Sequence, residues 1–170
     1  HCGACLFVMD MRTKFSAAHT LDVLEDYPIR SLCAPPTALR MMIREDFSGR
    51  SFPHLRHCVT AGEPLNPSIF LAWKELTGLP IYEGYGQSES VILLGHFKDS
   101  GFPVIPGSMG RPTPGYDVCL VDENLQPVPD GTEHVRLSIE APGSWRWNAS
   151  LAVDGQDRAR TEGLRMLGAM

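Results

Sequence analysis

Blocks of apolar residues alternate with amphipathic stretches over the first eighty positions. "CGACLFVM" is an apolar run of strand length. "SAAHTLDVLEDY" follows, with Ala17, Leu21, Val23, Leu24 and Tyr27 at helical spacing and Ser16 placed as an N-cap. Pro28 ends that helix. "IRSLCAP" reads as a short strand, and Pro35–Pro36 open a helix over "TALRMMIRED". Leu55–Thr60 reads as a strand. "NPSIFLAWKELTG" carries an N-cap (Asn66), a proline in its first turn (Pro67) and a glycine just past its end (Gly78). "LPIYEGYG" is the next strand and its exit turn. The order is strand–helix–strand–helix–strand–helix–strand over residues 1–84.

That alternation predicts an α/β fold, a mostly parallel sheet with covering helices over residues 1–100. Ligands of such sheets bind beyond the carboxyl ends of the strands. Two glycine-bearing segments fall there: "TAGEPLNP" and "YEGYGQSES". After Ser90 the texture changes. "VILLGHF" reads as a strand, and "PVIPGSMGRPTPGYD" is too rich in Pro and Gly for a regular element. "YDVCLVD" and "EHVRLSIEA" alternate as strands do. The division expected is residues 1–105 for the α/β part, 106–140 for a small β-rich subdomain and 141–170 for a divergent, loosely ordered tail. In that tail only Trp145 and Trp147 offer large anchors, and the sequon at Asn148 reads as chance.

Composition narrows the field. The chain has 170 residues, of which 43% are hydrophobic and 21% charged, the profile of an ordinary globular domain. A net charge of −5 argues against a nucleic-acid partner. No apolar run reaches the ~20 residues of a transmembrane helix. The first residue is His1 and no signal-peptide pattern follows it, so the chain reads as an excerpt of a longer protein. Five cysteines, mostly in apolar surroundings, favour buried reduced thiols in an intracellular compartment. Cys2 and Cys5 beside His1 have half the spacing of a zinc site, but no second pair completes it.

The residues of "GYGQSE" allow nucleotide chemistry. Glycine backbone N–H groups can cradle phosphate oxygens. Ser88 Oγ can donate to a phosphate or carboxylate, Tyr85 can stack on a base, and Glu89 can hold Mg²⁺. The plain alternative is a solvated polar turn with a buried tyrosine. "TAGEPL" has the same two readings: Gly62 permits a positive φ, Glu63 can cap the following helix, and Pro64 stiffens the turn. Arg111 in "GSMGRPTPG" is either a phosphate ligand or a surface arginine.

The order and spacing of "TAGEPLNP", "YEGYGQSES" and "PGSMGRPTPGYDVCLVDENLQPVPDGTE" resemble the adenylate-forming superfamily. "HCGACLFVMDMRTKF", "YPIRSLCAPPTALRMMIRED" and "FPHLRHCVTAGEPLNP" are most similar to its medium-chain acyl-CoA synthetases of the mitochondrial matrix. The resemblance covers roughly residues 1–133. It implies activation of a medium-chain fatty or aromatic carboxylic acid with ATP and Mg²⁺ to an acyl-adenylate, then transfer to CoA. It implies that Gly62, Glu63 and Pro64 lie along the adenine. Glu83, Gly84, Tyr85, Gly86, Gln87 and Ser88 would form the ATP-binding loop, with Tyr85 against the base and Gly86 clear of a side chain that would crowd the ligand. Ser88 stands where the family usually has Thr and would contact the α-phosphate and the reacting carboxylate. Glu89 would be the Mg²⁺ ligand.

The family's phosphate loop, its ribose-binding Gly-Asp segment and its C-terminal subdomain with the catalytic lysine are not in these residues. The CoA site would also lie mostly outside them, and the chain by itself is expected to be inactive. After Glu133 the family pattern is lost, which suggests an alternative terminus such as a splice variant. Two other readings stay open: a truncated, non-catalytic relative that binds nucleotide or a partner, and an unrelated α/β ligand-binding domain.

Overall fold

Ser16 starts the first helix by accepting a hydrogen bond from the His19 N–H at 3.2 Å. Helix α1 (Ala17–Asp26) then buries Ala17, Thr20, Leu21, Val23 and Leu24. Tyr27 lies just past its end, half exposed, and its ring meets Phe7 at 5.1 Å. Pro36 opens helix α2 (Pro36–Met42), which buries Pro36, Ala38, Leu39 and Met42. Helix α3 (Pro67–Thr77) is capped by the Asn66 side chain, which accepts from Ser68 N–H, and stops at Gly78, whose φ of 74° suits glycine. The computed structural model describes residues 3–10, 14–88, 90–122, 124, 126–127, 135–141 and 145–151.

Strands β1 (Ser31–Cys33), β2 (His57–Ala61) and β3 (Ile81–Gln87) run parallel. Strands β4 (Val91–Gly95) and β5 (Arg111–Pro112) extend the sheet antiparallel, in the order β1-β2-β3-β4-β5. Ile81, Cys58 and Leu55 meet Leu21, Leu24, Leu39, Met42, Ile69, Phe70 and Trp73 in one core. A side chain such as Trp73, fully buried here, contributes on the order of 3 kcal/mol by leaving water. Arg50 ties the loop after α2 to α1, with one guanidinium nitrogen 2.8 Å from both Asp22 and Glu25. A second sheet has the order β6-β7-β8, from Asp117–Val121, Val135–Ala141 and Trp145–Leu151, all antiparallel.

Three expectations need revision. "CGACLFVM" forms no strand over its described residues. Leu6 and Val8 are 86% and 78% exposed, no strand pairs with that segment among the described residues, and its Phe7 ring packs on Tyr27 instead. Cys5 and Cys33 are exposed rather than buried, while Cys58 is buried and its thiol is pushed up to about 11 by desolvation. Arg111–Pro112 joins the first sheet instead of the β-rich part. Of the tail, Trp145–Leu151 is a strand, and residues 152–170 lie outside the described residues. Among the described residues no helix is long and apolar enough to cross a membrane.

The cap at α3 is open to test. Asn66→Ala removes the acceptor of the Ser68 N–H and should lower unfolding stability of the full-length protein by about 1 kcal/mol. Urea unfolding followed by tryptophan fluorescence measures it, and Asn66→Asp, which keeps the acceptor, should stay near wild type.

Candidate site at the carboxyl ends of the parallel strands

Parallel strands end on the same side of a sheet, so what leaves β2 meets what ends β3. The last register pair is Ala61 with Gly84. Beyond it β3 continues through Tyr85, Gly86 and Gln87, paired with β4 on one side. On the β2 side these three residues have no strand neighbour among the described residues. The chain leaving β2 turns away at Gly62, where φ is 91°, a conformation that costs other residues dearly. Gly62, Glu63 and Pro64 are all exposed. The two segments singled out by sequence therefore adjoin, and between them lies an open stretch of strand edge.

Glu83 joins them. Its side chain is only 8% exposed, and its Oε1 accepts the Leu65 N–H at 3.0 Å. Burial pushes the carboxyl up to about 7, while the bond from Leu65 works the other way. Its neighbour in register is Thr60, whose hydroxyl is buried with no hydrogen-bond partner. The Glu83 carbonyl accepts from the His96 N–H at 2.9 Å. Burial depresses the His96 imidazole, and its Nε2 lies 3.4 Å from the Ile105 N–H that it accepts.

The stretch "YEGYGQSES" is a hairpin, not a strand followed by a glycine turn. Gly84, Tyr85, Gly86 and Gln87 are strand residues, and the reversal comes at 88–90. The ladder shifts register between Tyr85 and Gly86. A Cβ at Gly86 would lie 1.5 Å from the Val91 carbonyl oxygen, so the backbone of the hairpin itself, rather than a ligand, demands this glycine. At Gly84 the nearest atoms are Ile92 methyls at 3.7 Å, an ordinary contact. Val91 has φ of 58°, a strained value for a β-branched residue. The Ser90 hydroxyl lies 3.2 Å from the Gln87 N–H that it accepts, and the Tyr116 hydroxyl donates to the Ser90 carbonyl at 2.8 Å. Ser88 is exposed at the tip, Tyr85 is half-buried with its hydroxyl pushed up by burial, and Glu89 lies outside the described residues.

Glu63 does not cap α3, a role taken by Asn66. Its Oε2 instead accepts the Thr37 hydroxyl at 2.6 Å, which clasps the loop to the first turn of α2. Arg111 stacks on Phe102, 3.7 Å from the ring centroid, and is exposed. Among the described residues no group of three or more His, Cys, Asp or Glu side chains could hold a metal ion. Neither the Thr37 clasp nor the Leu65 bond has a signature in the sequence, since each joins residues far apart in the chain.

The AMP-binding enzyme family matches residues 1–142, nine residues beyond Glu133, the end of the resemblance read from the sequence. The chain is 46% identical over 131 residues to the mouse "Acyl-coenzyme A synthetase ACSM3, mitochondrial", covering 77% of this chain and 22% of that protein. The chain thus spans about a fifth of the length of that relative (22%). Its fold is similar to that of the anthranilate CoA ligase AuaEII in complex with anthranoyl-AMP (TM-score 0.70, 25% identity, 84% of this chain and 31% of that one). It is also similar to a benzoate CoA ligase from Burkholderia xenovorans LB400 (TM-score 0.64, 28% identity, 76% and 26%).

Two measurements check this geometry. Gly86→Ala should destabilise the full-length protein by at least about 3 kcal/mol, because backbone must move, whereas Gly84→Ala should lose about 1 kcal/mol or less. Urea titrations of both variants give the comparison. The second concerns pH. Folded Glu83 keeps its proton up to about 7, while the unfolded chain releases it near 4.5. The stability this contributes, about 3 kcal/mol at most, is present below pH ~4.5 and is lost as pH rises towards ~7. Glu83→Gln has no such proton, so its unfolding free energy should vary less than wild type between pH 5 and 7.5.

Proposed function

The chain belongs to the AMP-binding enzyme family, and we propose that its protein is an ATP-dependent acyl-CoA ligase for a medium-chain fatty or aromatic carboxylic acid. The observation that carries this reading is the meeting of the Gly62–Pro64 turn with the open edge of β3 at Tyr85–Gln87. A flat base can lie along an exposed backbone turn, and phosphate oxygens can reach the strand edge beside it.

The reaction joins a carboxylate to the α-phosphate of ATP, forming an acyl-adenylate and releasing pyrophosphate. The thiol of CoA then attacks the acyl carbon and AMP leaves. In this chain Gly62, Glu63 and Pro64 present backbone along the adenine, and Tyr85 supplies an aromatic face. Gly84 and Gly86 lie in the same strand and add no side chain to its faces there. Ser88, at the exposed hairpin tip, donates its hydroxyl to an α-phosphate oxygen, where negative charge grows as the carboxylate attacks. Glu89 is the residue that would hold Mg²⁺, which when bound neutralises phosphate charge. The CoA site belongs mostly to parts of the protein beyond these residues. The curated relative is named as mitochondrial, and we assign this protein to the mitochondrial matrix by that likeness.

Carboxylate-dependent ATP–pyrophosphate exchange by the full-length protein tests the first half-reaction. Exchange that requires octanoate or benzoate supports the reading, and no exchange with any carboxylic acid overturns it. Glu89→Gln should lower the exchange rate roughly a hundredfold at saturating Mg²⁺, the loss of one charged group that stabilises the reacting phosphate. A fall of less than tenfold would remove Glu89 from the metal site.

A further inference from the structure

Glu83 sits inside the stretch that resembles a nucleotide loop, and its carboxyl group is engaged by the turn that follows β2. It lies on the helix-covered face of the sheet with Ile81 and Thr60, and is 8% exposed. Its Oε1 is occupied by the Leu65 N–H at 3.0 Å. Leu65 is itself buried, so without Glu83 that N–H would be a buried donor lacking a partner. The bond also closes a short excursion. Ala61 pairs with Gly84 at the start of the turn, and Leu65 is bonded to Glu83 at its end. The intervening Gly62, Glu63 and Pro64 are thereby suspended between two adjacent points of β3.

We propose that Glu83 is a positioning residue that fixes the Gly62–Leu65 turn over the carboxyl end of β2. This rests, for its link to nucleotide binding, on the ligase reading of the same site. The geometry gives a reason to choose an acid here. An apolar residue would pack well beside Ile81 but leave the Leu65 N–H unpaired. The carboxyl accepts that bond whether or not it carries a proton. Thr37 also holds the same turn, through Glu63.

The test compares Glu83→Met, which has similar volume and no oxygen, with Glu83→Gln, which keeps an acceptor. Both are made in the full-length protein. Hydrogen–deuterium exchange of peptides covering residues 62–68 reads the turn directly, and calorimetric titration with ATP and with AMP reads the site. Exchange at the Leu65 amide should be at least tenfold faster in the Met variant. In the Gln variant it should stay within about threefold of wild type. Nucleotide affinity should fall about tenfold in Met and recover most of that loss in Gln. Wild-type protection in the Met variant overturns the proposal, as does lost protection with unaltered nucleotide affinity. If the Met variant does not fold, loss of protection in the folded Gln variant also overturns it. A wild-type protein that binds no nucleotide would defeat the ligase reading instead, and the exchange arm would still decide the role of Glu83.

Discussion

The joint between β2 and β3 governs what lies at this end of the molecule. Parallel pairing brings Thr60 opposite Glu83 and Ala61 opposite Gly84. Helix α3 must cross over between them, and it does so with Trp73, Phe70 and Ile69 in the core. That packing fixes where the turn between β2 and α3 can go. It leaves only the few residues from Gly62 to Asn66 to make the reversal. Everything offered to solvent at the site follows from this constraint: a turn with a positive φ, a capped helix start, and a strand that overruns its neighbour.

β3 serves two partners in succession. Its first half completes a parallel sheet with β2, and its second half builds a hairpin with β4. Gly84 pairs with both, and beyond it the ladder to β4 shifts register between Tyr85 and Gly86, where the Val91 carbonyl presses against a position without a side chain. Val91 takes up the distortion with a left-handed backbone. Strain of this kind persists only where surrounding structure over-determines it. Here the Tyr116 hydroxyl, the Ser90 side chain and the Gln87 backbone bracket it with hydrogen bonds.

Helices were well written in the sequence. Ser16, Asn66, Pro67 and Gly78 each act by local chemistry, so their roles can be read without knowing the fold. The strand at "CGACLFVM" was misread because an apolar run becomes a strand only when a neighbour pairs with it. The two segments of the site were legible as glycine-bearing exits, and their adjacency followed from the parallel sheet. What could not be read was the cause of each residue. Gly86 answers to Val91 across a hairpin, Glu63 to Thr37 on another helix, and Glu83 to Leu65 on another loop. Such pairings are tertiary, and spacing along the chain carries no trace of them.

Among the described residues the overrun of β3 past β2 leaves a strand edge without a neighbour, on a hairpin whose Val91 and Ile92 are 70% and 42% exposed. Exposed edges next to apolar side chains invite a second chain to add a strand. This edge is a poor template for that. It is three residues long, Tyr85–Gln87, with Gly86 at its centre. Glycine positions give an incoming strand no side chains to interlock with. A short edge interrupted by glycine thus offers a second chain little to pair with, while it stays uncovered at the carboxyl ends of the parallel strands.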